Sequence, residues 1–249
     1  MLRYFRALLM LITVFFSALS QAEKLPLVIG VENLLPHSGH EEIDGEGYAN
    51  IIVREVFKDY SIKFEAAPYA RLKRNLVSGK IDIMLLCVPF NFTLKDKVIF
   101  PQQPILQSAQ VFFVRKDFPW RYHRDQSHSK VLLGLTSGLD YHELEWLLGE
   151  TKLNYYIEGE QHIARALNLM RNNKLNVYYE DRAAVMFTAK KLNMVDEIME
   201  AGAVLPPVDL FLGIGSHRSD AKQLAALFDS EIERLRQQDF IANAVNKVQ

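Results

Sequence analysis

The chain has 249 residues, of which 29 are basic, 30 are acidic and 49% are hydrophobic. This length allows one large domain or two lobes of about 100 residues each. A formal net charge of −1 without a basic cluster argues against nucleic-acid and membrane-surface partners, because both favour concentrated positive charge. Cys87 is the only cysteine, which excludes an internal disulfide.

The first 22 residues are predicted to be an export signal. Arg3 and Arg6 precede an apolar run over residues 7–16, and residues 20–22 have the small-x-small pattern of a cleavage site. The run is shorter than the roughly 20 residues that span a membrane. We therefore expect cleavage after Ala22 and a periplasmic mature chain that is not inserted in the membrane. An uncleaved N-terminal anchor is the alternative.

The first half of the mature chain alternates predicted strands and helices. Strands are predicted over residues 25–31, 61–66, 81–86 and 105–115, and helices over residues 48–60 and 71–78. Residues 34–47, with one proline and three glycines, are predicted to form a loop.

The second half repeats the alternation. Strands are predicted over residues 130–135, 155–157, 175–179 and 210–215, and helices over residues 141–148, 163–172, 182–192 and 220–236. Leu205-Pro206-Pro207 indicates a stiff turn before the last strand.

One segment has an echo about ninety residues later. Residues 71–86 and 163–179 each combine an amphipathic basic helix with a short apolar strand, and Gly79 and Asn173 suit the left-handed position that ends a helix. The repeat predicts two α/β lobes with largely parallel sheets and a cleft between them. We assign residues 23–112 to lobe 1, residues 113–208 to lobe 2, and residues 209–249 to a return strand and a closing helix on lobe 1. Hinges are predicted near residues 110–116 and 207–215.

Candidate ligand contacts follow the strands, because ligands of open α/β sheets sit outside the carboxyl ends of the strands. The corresponding stretches are residues 32–37, 68–71, 87–92, 136–141 and 178–181. Arg71 begins a helix at this edge and is a natural bidentate partner for a carboxylate.

The segment Thr136-Ser137-Gly138 is a plain structural turn or has one of two functional roles. Its amides and hydroxyls suit an anion or carboxylate at the start of the following helix. It is also a near miss to the G-x-S-x-G nucleophile elbow, with Ser137 displaced by one position.

Two aromatic and two acidic residues lie at the end of the second-lobe strand that begins at residue 175. Tyr178, Tyr179, Glu180 and Asp181 offer stacking and negative charge to a ligand ammonium group. Alternatively, Tyr178 belongs to the core, Glu180 is solvated, and Asp181 is the N-cap of the helix that begins at Arg182.

The loop His37-Ser38-Gly39-His40-Glu41-Glu42 contains metal-ligand residue types, but no spacing that fixes a coordination geometry. A solvated polar loop is the favoured interpretation. No metal and no cofactor is predicted.

Several motifs in order resemble bacterial extracellular solute-binding proteins of family 3, the amino-acid-binding type. Pro68-Tyr69-Ala70-Arg71 with residues 76–82 resembles the P-x-x-R…L-x-x-G-x-x-D run, and residues 44–48 resemble the D-G-x-G turn. Residues 98–104 are similar to V-x-F-S-x-P, residues 134–141 to the second-lobe glycine turn, and residues 167–181 to L-x-x-L-x-x-G-R-x-D…D.

The resemblance implies two type II-like lobes, each a mostly parallel sheet flanked by helices, joined by two hinge strands that close on a small solute. It makes Asp181 the expected partner of an α-ammonium group and residues 136–138 expected carboxylate or polar contacts. The predicted ligand-binding residues are Tyr69, Arg71, Cys87, Asn91, Thr136, Ser137, Gly138, Tyr179 and Asp181.

The chain departs from the family pattern at its carboxylate clamp. The position of the family's arginine is Leu94, and Leu34-Leu35 stands where an aromatic residue is usual. Either Arg71 replaces the clamp, or the ligand is not an amino acid.

The leading functional prediction is a monomeric, non-catalytic periplasmic binding protein that captures a small polar solute for an inner-membrane permease or a sensor. A degenerate sensory or protein-interaction module of the same fold is one alternative. An enzyme that dehydrates cyclic acids, with Glu180 or Asp181 as the acid, is the other.

Overall fold

The computed structural model describes residues 26–89, 95–125, 131–150 and 153–248. The predicted export signal therefore lies outside the described residues. In the part of the chain that is described, no helix is both long and apolar enough to cross a membrane.

The described residues form eleven strands and seven α-helices. The strands are β1 (Leu27–Val31), β2 (Ile62–Ala66), β3 (Ile83–Cys87), β4 (Val98–Ile99), β5 (Leu106–Ser108), β6 (Gln110–Arg115), β7 (Leu132–Thr136), β8 (Leu153–Ile157), β9 (Val177–Asp181), β10 (Ile198–Glu200) and β11 (Val208–Gly215). The helices are α1 (Tyr48–Val56), α2 (Tyr69–Val77), α3 (Glu145–Glu150), α4 (His162–Arg171), α5 (Arg182–Lys191), α6 (Ala221–Gln237) and α7 (Phe240–Val248).

The first sheet has the order β2-β1-β3-β11-β4, and β5 also pairs with β11. Strand β1 runs parallel to β2, with Leu27 opposite Ile62, and parallel to β3, with Ile29 opposite Ile83. Strand β11 returns antiparallel to β3, β4 and β5. All five residues of β3 are buried because helices cover both faces of this sheet.

The second sheet repeats this plan in the order β10-β6-β9-β7-β8. Strand β7 is parallel to β8 and β9, whereas β6 is antiparallel to β9 and β10. Each lobe thus has three parallel strands, with antiparallel partners on the side where the chain crosses between lobes. The predicted α/β class and two-lobed architecture are confirmed.

The sequence echo corresponds to a structural repeat. In lobe 1, α2 leads into β3, and in lobe 2, α4 leads into β9. The residues that end these helices have positive φ, +76° at Gly79 and +58° at Asn173, as predicted. Glycine and asparagine tolerate this backbone conformation better than other residues do.

The chain crosses between the lobes at two places. The first is Ala109, between β5 of the first sheet and β6 of the second, and the second lies between β10 and β11. Residues 110–112, which the predicted boundary assigns to lobe 1, are part of the second sheet. Helix α6 packs on the first sheet, where Leu224 and Phe228 share the core with Ile29.

Several elements differ from the sequence prediction. The strand predicted over residues 105–115 is divided at Ala109 into β5 and β6, which belong to different sheets, and β4 lies in a stretch without a predicted strand. The helix predicted over residues 141–148 is a 3₁₀ turn, His142–Leu144, followed by α3. The short edge strand β10 and the last helix α7 were not predicted. A three-residue strand is too short to show an alternating pattern, and it exists here because it pairs with β6.

Candidate functional site

A cavity lies between the lobes at the carboxyl ends of β1, β7 and β9. It contains about 840 Å³ of empty space, its solvent-open mouth included. Residues of both lobes line it, and they fall into polar, aromatic and aliphatic groups. The lining residues are Glu32, Leu34, Tyr69, Leu86, Val88, Ser108, Gln110, Thr136, Leu139, Asp140, Tyr141, Glu143, His162, Tyr179, Glu180, Leu205, Pro206, Val208 and Leu210. We refer to this cavity as the interlobe cleft.

Glu180, near the end of β9, is the most extensively bonded carboxylate of the cleft. It is 2% exposed, and its Oε2 accepts hydrogen bonds from the hydroxyls of Thr136 and, at 3.1 Å, Tyr178. Its Oε1 accepts the amide of Asp181 at 2.9 Å, and His162 Nε2 lies 3.6 Å from Oε2. Burial alone would raise the pKa of Glu180, but His162 and these donors outweigh burial and lower that pKa. Glu180 is therefore ionised at neutral pH, and the protein itself supplies the hydrogen-bond donors for both of its oxygens.

Glu32 follows β1 and faces Glu180 across the cleft. Its carboxylate accepts one weak hydrogen bond among the described residues, from the Tyr69 amide at 3.4 Å. Burial, opposed by the charge of His162 and assisted by that of Glu180, raises the pKa of Glu32 to about 7. Glu32 thus differs from Glu180, because it accepts fewer hydrogen bonds from the described residues.

His162, the first residue of α4, provides the positive charge between these two acids. Its side chain is 3% exposed, and its Nδ1 lies 3.2 Å from the carbonyl oxygen of Gly159. Burial lowers the pKa of His162, but the neighbouring Glu180 and Glu32 more than compensate and raise it. An imidazolium here stabilises Glu180 directly.

Three tyrosines form the aromatic part of the lining. Tyr141 clamps the end of β7, because its hydroxyl accepts the Thr136 amide at 2.8 Å and donates to the Thr136 carbonyl at 3.0 Å. Tyr179 donates to Glu143 Oε1 at 3.4 Å, and its ring centroid lies 6.2 Å from that of Tyr141. Tyr69, from lobe 1, is 3% exposed and completes the aromatic surface.

A buried hydrogen-bonded group beside the cleft joins the lobes. Asp181 Oδ1 accepts from the Ala184 amide at 2.9 Å and lies 2.6 Å from His37 Nε2, while Oδ2 accepts from Ser108 at 2.7 Å. Burial would raise the pKa of Asp181, but His37 and the other donors lower it. His37 and Ser108 belong to lobe 1 and Asp181 to lobe 2, so this group links the two.

The lobes also approach closely at Gly138. A Cβ atom at this position would lie 2.6 Å from the Cβ of Ala70 in lobe 1, and the φ of Gly138 is +88°. A side chain here would therefore separate the lobes and also strain the backbone.

The predicted site residues are distributed over several environments. Tyr69, Thr136 and Tyr179 line the cleft, and Ser137 and Gly138 lie beside it. Ser137 donates to Glu158 at 3.3 Å. Thr136 donates to Glu180, so both hydroxyls of this turn are bonded to carboxylates.

The other four predicted residues are Arg71, Cys87, Asn91 and Asp181, and none of them is among the described lining residues. Arg71 is exposed on α2 and does not line the cleft. Cys87 is fully buried in the core of lobe 1, and burial raises the pKa of its thiol. Asp181 caps α5, as the alternative interpretation held, and bonds His37. Asn91, like Leu94, falls outside the described residues.

Several cleft residues were not chosen from the sequence. Glu32 and Tyr141 lie in stretches that were selected by strand position, but neither was chosen, and His162 and Glu143 carried no pattern. Glu180 is buried, in contrast to the solvated alternative, whereas Tyr178 is a core residue as that alternative held. Within the described ranges, no group of three or more potential ligand side chains is placed to hold a metal ion.

Comparison with known proteins shows similarity in structure but not in sequence. No protein-family model matches the chain, and no curated protein matches it significantly. A histidine kinase sensor domain with similarity to periplasmic binding proteins matches with a TM-score of 0.74 at 16% identity, over 90% of this chain and 96% of that chain. A mutant of ArgBP from T. maritima matches with a TM-score of 0.73 at 15% identity, over 92% and 96% of the two chains.

A third solved structure, an ABC uptake transporter substrate binding protein from Streptococcus pneumoniae with bound histidine, has a TM-score of 0.73 at 17% identity, over 90% of this chain and 92% of that chain. At such identities the similarity establishes the fold. This chain has the two-lobed fold of periplasmic solute-binding proteins, which confirms the resemblance inferred from its motifs at the level of the fold.

Proposed function

We propose that this protein is a non-catalytic solute-binding protein that captures a small solute between its lobes for an inner-membrane permease or a sensor. The observation that carries the proposal is the interlobe cleft, which is lined from both lobes by acids, hydroxyls and aromatic rings. A cleft of this kind, with apolar walls and a few convergent polar groups, is typical of small-molecule sites.

The interlobe contacts support ligand capture by closure. The Asp181–His37 pair and the approach of Gly138 to Ala70 bring the lobes together around the cleft. Because the chain crosses between the lobes twice, bending at the two crossings is the simplest motion that opens the cleft. Similar structures include both a sensor domain and a transporter's binding protein, so both partner classes remain in the proposal.

The dehydratase alternative requires a protonated acid in the cleft. Glu180 and Asp181 do not suit this role, because the pKa of each is lowered. Glu32, whose pKa is raised to about 7, keeps its proton more readily. A turnover assay with cyclic carboxylic acids therefore accompanies the binding test, and we expect no product.

The binding test is a thermal-shift screen of the purified protein against amino acids, organic acids, amines and oligopeptides. A solute at 100 times its dissociation constant adds about 2.7 kcal/mol to the unfolding free energy. We expect one chemical class to stabilise the protein. Leu139→Trp, which fills the cleft, should abolish the shift, whereas Val195→Trp, at an exposed position outside it, should not. No shift with any class would favour a protein-interaction module instead.

A further inference from the structure

The described residues that line the cleft have an unbalanced charge. Four of them are acids, Glu32, Asp140, Glu143 and Glu180, one is His162, and none is lysine or arginine. Lys73 lies near the cleft, with Nζ 5.9 Å from the Tyr69 ring centroid, but it is not part of the lining.

The two central acids do not have the same capacity for a ligand. Both oxygens of Glu180 already accept hydrogen bonds from the protein. Among the described residues, the carboxylate of Glu32 accepts a single hydrogen bond, the long one from the Tyr69 amide, so it retains acceptor capacity toward the cleft. A cationic donor on a ligand could bond these free acceptor positions and add to the positive charge that His162 places near Glu32.

Apart from Ser108, Gln110 and Thr136, the rest of the lining is apolar or aromatic. Eight side chains are aliphatic or proline, namely Leu34, Leu86, Val88, Leu139, Leu205, Pro206, Val208 and Leu210. The rings of Tyr69, Tyr141 and Tyr179 add faces that attract cations and pack on hydrocarbon. These walls suit a ligand whose body is apolar.

We propose that the cleft takes a small protonated amine on an aliphatic or aromatic skeleton, without a carboxylate, and that Glu32 is its anionic anchor. This inference rests on the proposed solute-binding function. A ligand carboxylate would meet four acids of the described lining, and His162, whose charge already stabilises Glu180, is the one basic side chain there to compensate. At about 5 Å, with an effective dielectric constant of about 20, one such repulsion weakens binding on the order of a hundredfold.

The test uses ligands that share a skeleton and differ in charge. Calorimetric titration of the purified protein compares isopentylamine with leucine, isovaleric acid and isopentanol, and compares phenethylamine with phenylalanine. We expect the amines to bind at least tenfold more tightly than the neutral alcohol and on the order of a hundredfold more tightly than the amino acids.

Three variants locate the anchor. Glu32→Gln should weaken amine binding at least tenfold, and Glu143→Gln should weaken it less, because Glu143 is already bonded by Tyr179. Asp196→Asn, which removes an exposed charge outside the cleft lining, should leave affinity unchanged.

The outcomes separate this inference from the proposed function. Tighter binding of amino acids or acids than of amines would overturn the amine assignment and leave solute binding intact. Amine binding that Glu32→Gln does not alter would remove Glu32 as the anchor. An absence of binding across these ligands and the full screen would overturn both proposals.

Discussion

Replacing Glu32 by glutamine should stabilise the protein while weakening its ligand binding. Burial raises the pKa of Glu32 from an ordinary value of 4.5 to about 7. Between these pH values the folded state retains a proton that the unfolded state has lost, so stability falls as the pH rises through this window. Above pH 7 the ionised carboxylate stays in an unfavourable environment.

The size of the effect follows from the pKa difference. Each pKa unit corresponds to about 1.4 kcal/mol, which makes the largest loss at pH 8 about 3 kcal/mol. Glu32 is partly exposed, and solvent screening reduces this figure, so we expect Glu32→Gln to gain about 1–3 kcal/mol at pH 8. At pH 5 the gain should be below about 1 kcal/mol, because the parent side chain is mostly protonated there. Glutamine keeps an oxygen that can accept the Tyr69 amide.

Urea unfolding at pH 5 and pH 8 measures this difference. Asp196→Asn is the matched control, since it removes one negative charge from an exposed position and should change stability by less than about 0.5 kcal/mol at both pH values. A destabilised Glu32→Gln variant at pH 8, or a gain of equal size at both pH values, would refute the reasoning. Either result would mean that Glu32 is well solvated or already paired in the folded protein.

Three further variants test the lobe contacts and the sequence-based site. Asp181→Asn keeps an oxygen for the Ala184 cap but loses the charge that faces His37. Urea unfolding should therefore show a loss of about 1–3 kcal/mol in unfolding free energy, with little change in amine affinity. Lower affinity at unchanged stability would support the ligand role predicted from the sequence. Gly138→Ala should weaken amine binding at least tenfold in calorimetry, because the new Cβ would lie 2.6 Å from the Cβ of Ala70. Adding Ala70→Gly to this variant should restore part of the affinity. Unaltered binding by Gly138→Ala alone would show that lobe closure does not need the close contact between Gly138 and Ala70. Arg71→Ala should change the free energies of binding and of unfolding by less than about 0.5 kcal/mol, because Arg71 is exposed. A loss of about 2–5 kcal/mol in binding free energy would instead place Arg71 at the site, as the sequence predicts.

The lobes and most of their elements were predictable because the signals that specify them are local. The apolar periodicity of α2 and α4, and the residues Gly79 and Asn173 that end them, are visible within a few positions of sequence. The position of Thr136 at the carboxyl end of a strand was also readable, and Thr136 lines the cleft. Such features need only neighbours in sequence and the general rule that α/β sheets bind ligands at one edge.

The chemistry of the cleft was not predictable in the same way. Glu180 and Asp181 are adjacent, and successive side chains of a strand point to opposite faces. The structure therefore directs Glu180 to Thr136 in the cleft and Asp181 to His37 beside it, whereas the motif resemblance points to Asp181 as the ligand contact.

The sequence by itself determined two α/β lobes, their order along the chain and the strand edge at which the interlobe cleft lies, because these follow from periodicity and from the order of the elements. The tertiary structure decided which charges meet there. Glu32 faces Glu180 and His162 although well over a hundred residues separate them from it, and His37 bonds Asp181 across 144 residues. The pKa and the bonding capacity of a buried acid depend on the solvent and charges around it in space, and only the packing of two lobes against each other specifies those surroundings.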